Sequence, residues 1–140
     1  MIVIDAKDSV LGRIASKAAK LALGGEKVEI VNAEKAMIFG DPKVTAKKYK
    51  TRIDLTVKGN PSYAPKFPRT PDRIVRRAVR GMLPFRTQKG REAFRRVMCH
   101  VGIPEKLKSE KAVELEDAKK SRGKKFISIG DLSTMLGAKW

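Results

Sequence analysis

MIVIDAKDSVLGRIASKAAKLALGGEKVEIV, residues 1–31, carries the pattern that decides the fold. Ile2-Val3-Ile4 is short, apolar and β-branched, as expected of a buried strand ending at Asp5. Leu11, Ile14, Ala15, Ala18, Leu21 and Ala22 then recur at the spacings of one helix face, with Arg13, Lys17 and Lys20 on another side. Asp8 or Ser9 can cap that helix, and Gly24-Gly25 stops it. Val28-Glu29-Ile30-Val31 reads as a second strand. Strand, helix and strand in so short a stretch imply a right-handed crossover between parallel neighbours.

The unit invites comparison with dinucleotide-binding folds, and its residues refuse it. The turn Asp5-Ala6-Lys7-Asp8-Ser9 has no glycine to admit a pyrophosphate. Gly24-Gly25-Glu26-Lys27 lacks the spacing of a phosphate-binding loop and follows a helix instead of preceding one. Nucleotide binding is not expected here.

Ala36-Met37-Ile38-Phe39 is a third apolar run, read as a strand and closed by Gly40-Asp41-Pro42. Residues 43–55 suit a basic helix carrying Lys43, Lys47, Lys48, Lys50 and Arg52. From Lys58 to Pro71, prolines at 61, 65, 68 and 71 exclude regular structure, and Tyr63 and Phe67 sit between them. This segment is either a surface linker or an extended basic arm, with cations for phosphates and aromatics to stack on bases. Its basic neighbours favour the arm.

Beyond it, residues 69–102 read RTPDRIVRRAVRGMLPFRTQKGREAFRRVMCHVG, two short helices about a proline hinge. Ile74, Val75, Ala78, Val79 and Met82 make one apolar face, opposite Arg73, Arg76, Arg77 and Arg80. Ala93, Phe94, Val97, Met98 and Val101 repeat that geometry, with Arg91, Arg95 and Arg96 opposite and Lys89 flanking. Thr70 is the expected N-cap, Pro71 the first helical residue, and Asp72 an anion where the helix dipole favours one. Gly81 and Pro84 end the first helix, and Gly90 marks the approach to the second. An amphipathic pair with a merely solvated basic surface is the plain alternative. Two such faces in tandem, with few acids between them, point to an anionic partner.

After Gly102-Ile103-Pro104, a mixed-charge stretch containing Glu110, Glu114, Glu116 and Asp117 is expected to form a partly helical, exposed wrap through Lys125. Phe126-Ile127-Ser128-Ile129 reads as a short strand. Asp131 is expected to cap a last turn holding Leu132, Met135 and Leu136, in a tail that docks through to Trp140.

The 140 residues suffice for one domain, and 41% hydrophobic content allows a core. The net charge of +17 exceeds what solubility needs and attracts polyanions. It is also local: residues 1–40 carry +1, residues 41–108 carry +14 and residues 109–140 carry +2. A lone cysteine, Cys99, excludes an internal disulfide and suits a reducing compartment. The opening MIVIDAKDS has no basic region ahead of a long apolar run, and no segment reaches the length of a membrane span. A soluble, cytoplasmic protein is expected.

Catalytic groups are sparse. His100 is the sole histidine, and placed beside Cys99 on a helix it faces elsewhere, so the two form no nucleophile–base pair. No metal-ligand spacing is present, and neither a metal nor a cofactor is expected. Asp5 stands at a strand end, where a carboxylate more often caps a turn than performs catalysis. No enzymatic activity is expected.

Several motifs together carry a resemblance. Val3-Ile4-Asp5-Ala6, Leu11-Gly12-Arg13-Ile14-Ala15-Ser16 and Val31-Asn32-Ala33-Glu34-Lys35 come first. Val79-Arg80-Gly81-Met82-Leu83-Pro84, then Gly90-Arg91, Phe94-Arg95 and Gly102, complete the order. In this the chain resembles the universal large-subunit ribosomal protein family called L-thirteen, nearly end to end. A short N-terminus, the prolines at 61–71 and the ending Lys125-Phe126-Ile127…Leu136-Gly137 resemble its archaeal and eukaryotic branch. The resemblance implies a single α/β domain over residues 1–140, with a small, mostly parallel (mixed) sheet of about four strands sandwiched between helices. The Lys58–Pro71 arm and the Glu105–Trp140 wrap and tail, read above from the residues, are expected as its appendages. The resemblance also implies a structural, non-catalytic constituent of the large ribosomal subunit, bound to rRNA and beside other ribosomal proteins, with no membrane, small-molecule substrate or obligate homo-oligomer.

The residues expected to meet RNA are Arg69, Arg73, Arg76, Arg77, Arg80, Arg86, Lys89, Arg91, Arg95 and Arg96, with Lys47, Lys48 and Lys58. Tyr63 and Phe67 are the stacking candidates. An RNA-modifying enzyme with a basic groove and a generic polycation are the competing readings.

Overall fold

Strand β1 (Ile2–Asp5), helix α1 (Leu11–Leu23) and strand β2 (Val28–Val31) form the expected parallel crossover, in register from Ile2 opposite Val28 to Asp5 opposite Val31. The computed structural model describes residues 1–110, 112–115, 118, 119 and 125–140. Helix α1 buries Leu11, Ile14, Ala15, Ala18, Ala19 and Ala22. Its many alanines let the helix axis lie close to the layers it packs on. Leu21 is only half-buried, and Ala19 takes the place expected of it.

Neither Asp8 nor Ser9 caps α1. Val10 occupies the N-cap position with no side-chain bond, and the Ser9 hydroxyl donates to the Lys7 carbonyl at 3.1 Å. The backbone of 9–10 is used elsewhere: the Ser9 carbonyl accepts from Met37 N–H at 2.9 Å, and Val10 N–H donates to the Ala118 carbonyl at 2.7 Å.

The remaining elements are β3 (Met37–Phe39), α2 (Pro42–Asp54), α3 (Pro71–Met82), α4 (Gln88–Arg95), β4 (Val97–Cys99), β5 (Val113–Glu114), β6 (Phe126–Ser128) and α5 (Ile129–Met135). The main sheet has the order β4-β2-β1-β5 and is parallel throughout. The third and last apolar runs are strands, as read, but β3 and β6 form a separate antiparallel pair. The α/β class stands, with the parallel and antiparallel parts in two sheets.

Two segments take a different secondary structure from the one expected. The second arginine-rich helix ends at Arg95, and Val97, Met98 and Cys99 are a strand opposite Val28, Glu29 and Ile30. Their apolar spacing satisfies both periods, and the open edge of β2 decides for the strand. The expected wrap includes β5, which pairs with β1 from Ile4 to Asp5. Glu116 and Asp117, read as part of that wrap, lie outside the described residues.

Chirality arranges the layers. The β2-to-β4 connection passes through α2–α4, and α1, α3 and α4 share a core with Ile4, Val28, Ile30 and Val97. The β4-to-β5 connection returns in the opposite direction, so a right-handed crossover must take the other face. There Leu107 covers Val3 and Val31. Ile4, Ile14 and Ile30 are fully buried, each contributing about 1.5–3 kcal/mol.

Asn32 and Glu34 tie the strand ends together. Asn32, left-handed at φ 55, donates from its side chain to Asp5 Oδ1 at 2.9 Å and from its N–H to the Gly102 carbonyl at 2.9 Å. Glu34 Oε2 accepts from Gly102 N–H at 3.0 Å. Asp5 Oδ1 also accepts from Lys7 N–H at 2.9 Å, the turn-capping role expected of it.

In the tail, Ile129, Leu132 and Leu136 are buried while Met135 and Trp140 are more than half exposed. The N-cap of α5 is Ser128, whose hydroxyl accepts from Asp131 N–H at 3.0 Å and donates to Asp131 Oδ2 at 2.6 Å. Asp131 therefore closes a reciprocal cap from inside the first turn, three residues after the position expected of a cap.

Candidate nucleic-acid interface

Helix α3 begins as its sequence requires. Thr70 is extended, Pro71 is the first helical residue and Asp72 lies in the first turn. The Thr70 hydroxyl, however, is buried without a partner among the described residues, so the cap is made by its backbone, whose carbonyl accepts from Ile74 N–H at 3.0 Å. Ile74, Val75 and Val79 are buried, Ala78 is half-buried, and Met82 is largely exposed, reached by the Ser16 hydroxyl at 3.2 Å from its sulfur. The helix runs through Gly81 and stops at Leu83.

The arginines of α3 divide into two sets. Arg73 and Arg77 are exposed; Arg76 and Arg80 are half-buried. Arg80 lies 4.0 Å over the Phe85 ring and Arg76 lies 4.7 Å over Phe94. The two rings meet edge to face at 5.5 Å and 85°. Each contact is weak, about 0.5–1.5 kcal/mol, but the chain of four draws two guanidinium groups against one pair of rings.

The turn between α3 and α4 sets that geometry. Thr87 caps α4, accepting from Gly90 N–H at 3.1 Å, and its hydroxyl donates to the Pro84 carbonyl at 2.8 Å. Gly90 is a packing residue inside α4 and not a marker before it. A Cβ there would fall 2.0 Å from the Pro84 carbonyl oxygen.

An open groove of about 620 Å³ runs between these elements and the arm, lined by Arg73, Arg76, Arg77, Arg80, Phe85 and Phe94, with Lys66, Phe67 and Pro68 on the arm side. Among the described residues, no carboxylate lines it. Phe67 is half-buried with Arg77 5.7 Å from its ring, so this stacking candidate already has a guanidinium against it. Tyr63, 79% exposed in a single helical turn at Pro61–Tyr63, has no such cover. Arg69 is exposed, and its carbonyl accepts from the Ser133 hydroxyl at 2.6 Å, fastening the arm to α5.

Other candidates stand outside the groove. Lys47 and Lys48 are exposed on α2, Lys58 precedes the arm's turn, and Arg86, Lys89, Arg91 and Arg95 are exposed around α4. Arg96 is half-buried and donates to the Ala22 carbonyl at 3.3 Å, where it serves the C-terminus of α1. Among the described residues, none of the candidate lysines and arginines forms an ion pair; the acids found paired engage Met1, His100 and Lys125. The field of the central segment is therefore uncompensated by those residues.

Sequence reasoning missed Phe85, Phe94 and Lys66 as parts of this site. Phe94 stands at the spacing of the apolar helix face. The available signal was interleaving, Phe85-Arg86 and Phe94-Arg95 in a basic stretch.

Cys99 and His100 are separated, though not by a helix. Cys99 faces the helical core from β4, and burial pushes its thiol up to about 12, against the opposing pull of Arg76. His100 Nε2 lies 2.7 Å from Glu29 Oε2. No three metal-binding side chains converge, and no helix is long and apolar enough to cross a membrane, among the described residues.

Comparison with known proteins agrees with the sequence motifs. A family model described as Ribosomal protein L13 matches residues 1–106. The large ribosomal subunit protein uL13 of Archaeoglobus fulgidus is 43% identical over 138 residues, covering 96% of this chain and 86% of its own. That of Methanosphaera stadtmanae is 43% identical over 139 residues, covering 99% and 98%. That of Methanococcus maripaludis is 40% identical with both chains fully covered. All three are archaeal, on the branch that the proline arm and the tail resemble.

Proposed function

The chain belongs to the ribosomal protein L13 family and is a non-enzymatic structural component of the large ribosomal subunit, and we propose that it binds rRNA directly through the arginine face of α3, the cations around α4 and the 58–71 arm. One observation supports this above the rest: the candidate cations have no carboxylate partner among the described residues, and three of the four α3 arginines lie against aromatic rings. Cations left unpaired and positioned are suited to folded RNA, where phosphates brought together repel one another. Recognition would rest on RNA shape and 2′-hydroxyls more than on a base code. Met98, Val101 and Ile103, exposed around β4, supply apolar surface for neighbouring subunit proteins.

The test replaces Arg73 and Arg77 with glutamate, since both are exposed and neither lies on the Phe85–Phe94 pair, Arg77 meeting only Phe67 on the arm. The tagged double variant is followed through sucrose gradients with a high-salt wash, beside the unaltered chain. The unaltered chain stays in the large-subunit peak, and the variant folds normally but is depleted from it. The slope of binding against salt falls by about one unit for each phosphate that the variant leaves unneutralised. Full retention of a folded variant would refute this face. Equal affinity of the unaltered chain for rRNA, DNA and anionic vesicles would reduce it to a generic polycation.

A further inference from the structure

The geometry points to a more particular occupant for the groove at α3: we propose that it receives one unpaired nucleotide, everted from the RNA, with its base stacked on the ring-backed guanidinium planes of Arg76 and Arg80. This rests on the reading that the arginine face binds RNA, and it makes a separate claim about the form of that RNA.

Three observations carry it. The groove is broad and open, and its volume of about 620 Å³ gives room for a group of nucleotide size laid against its wall. A paired A-form helix keeps its bases inside and offers such a recess only backbone. Second, Arg76 and Arg80 are not free to follow phosphates. Each is half-buried against a phenylalanine ring, at 4.7 and 4.0 Å, the rings brace each other at 5.5 Å, and all four side chains line the groove. A guanidinium held flat by an aromatic ring presents its other face as a stacking surface for a base. Third, Arg76 Nε is buried with no acceptor among the described residues, so the ring contact holds the side chain where a hydrogen bond from that atom does not.

The rim supplies the rest. Arg73 and Arg77 are exposed beside the stack and Lys66 stands across the groove on the arm, so cations flank the recess for the phosphates on either side of the everted nucleotide. Phe85 and Phe94 hold the arginines from within the groove lining.

The experiment compares two RNA stems, one fully paired and one identical but for a single bulged 2-aminopurine, binding the full-length chain at fixed salt. The bulged stem is expected to bind about tenfold tighter, the low end of what one stacked base contributes, with a change in 2-aminopurine fluorescence on binding. Phe85→Leu with Phe94→Leu should bring the bulged-to-paired ratio close to one. Arg80→Lys, which keeps the charge and loses the plane, should lower the same ratio even if the leucine variant fails to fold. Equal, salt-sensitive binding of both stems by the unaltered chain overturns the everted nucleotide while leaving phosphate binding intact. A ratio unmoved by Arg80→Lys overturns the stacking platform. Binding of neither stem overturns both this proposal and the RNA face beneath it.

Discussion

Gly90→Ala sets two effects of opposite sign against each other. Gly90 lies inside α4, and helix propensity alone favours alanine there by about 0.8–1.0 kcal/mol. The new methyl carbon would stand 2.0 Å from the Pro84 carbonyl oxygen, 2.4 Å from its carbon and 3.1 Å from Phe85 nitrogen. These are backbone atoms that cannot rotate aside. The same carbonyl accepts from Thr87 N–H at 3.0 Å and from its hydroxyl at 2.8 Å, so relief requires the first turn of α4 to swing away from its cap. Overpacking costs about 1–3 kcal/mol and loss of the Thr87 cap about 1 kcal/mol more. Set against the propensity gain, the net is a loss of about 2 kcal/mol. For a chain of this length that is a fall in Tm of about 6–8 °C, read by circular dichroism. The swing also parts Phe85 from Phe94 and disturbs the guanidinium planes above them. A variant melting at or above the temperature of the unaltered chain would show that propensity wins and that the turn does not hold the groove.

Val79→Asp tests the phase of α3. Val79 is 0% exposed, an unpaired carboxylate there costs upward of about 4 kcal/mol, and the far-ultraviolet spectrum and melt should show an unfolded chain; a native spectrum and melt would mean the arginine face is misassigned. Cys99 gives a pH dependence. Its thiol ionises near 9.0 when the chain is unfolded and near 12 when folded, so the folded state holds the extra proton between those values. Its contribution is therefore complete below pH 9 and declines by about 1.4 kcal/mol per pH unit above it. In urea titrations Cys99→Ala should remove that part of the decline, and an unchanged slope would contradict the burial of the thiol.

The fold was legible where local pattern and tertiary partner agree. The short β-branched runs at Ile2–Asp5 and Val28–Val31 and the face of Leu11–Ala22 have one solution each, and the right-handed crossover follows. Residues 93–101 have two. Ala93, Phe94, Val97, Met98 and Val101 fit a helix, yet Val97, Met98 and Cys99 also alternate as buried, exposed and half-buried. Only the unpaired edge of β2 separates the cases, and no window of sequence contains it. Val113–Glu114 is shorter still, two residues whose strand character comes wholly from β1. Side-chain capping failed for a related reason, although Thr70 does hold the N-cap position of α3. Ser9 and Thr70 have capping chemistry, but one is held in bridges to distant backbone and the other has its hydroxyl buried out of reach.

The site was legible as charge and illegible as shape. A net of +14 on residues 41–108 locates the basic surface, because charge adds without regard to conformation. Phe94 shows what addition cannot reach. At helical spacing a phenylalanine beside Ala93 belongs to the core, and periodicity cannot tell a ring covered by aliphatic neighbours from one covered by an arginine of the preceding helix. Here the cover is Arg76, one turn before Arg80 on α3, so two guanidinium groups stacked along one helix meet two rings braced across the turn to the next. The spacing of those planes is then fixed by the approach of α4 to Pro84, which Gly90 permits. A glycine with no charge and no place in the groove lining thus governs where its cations stand, and only the packing of the two helices makes that connection.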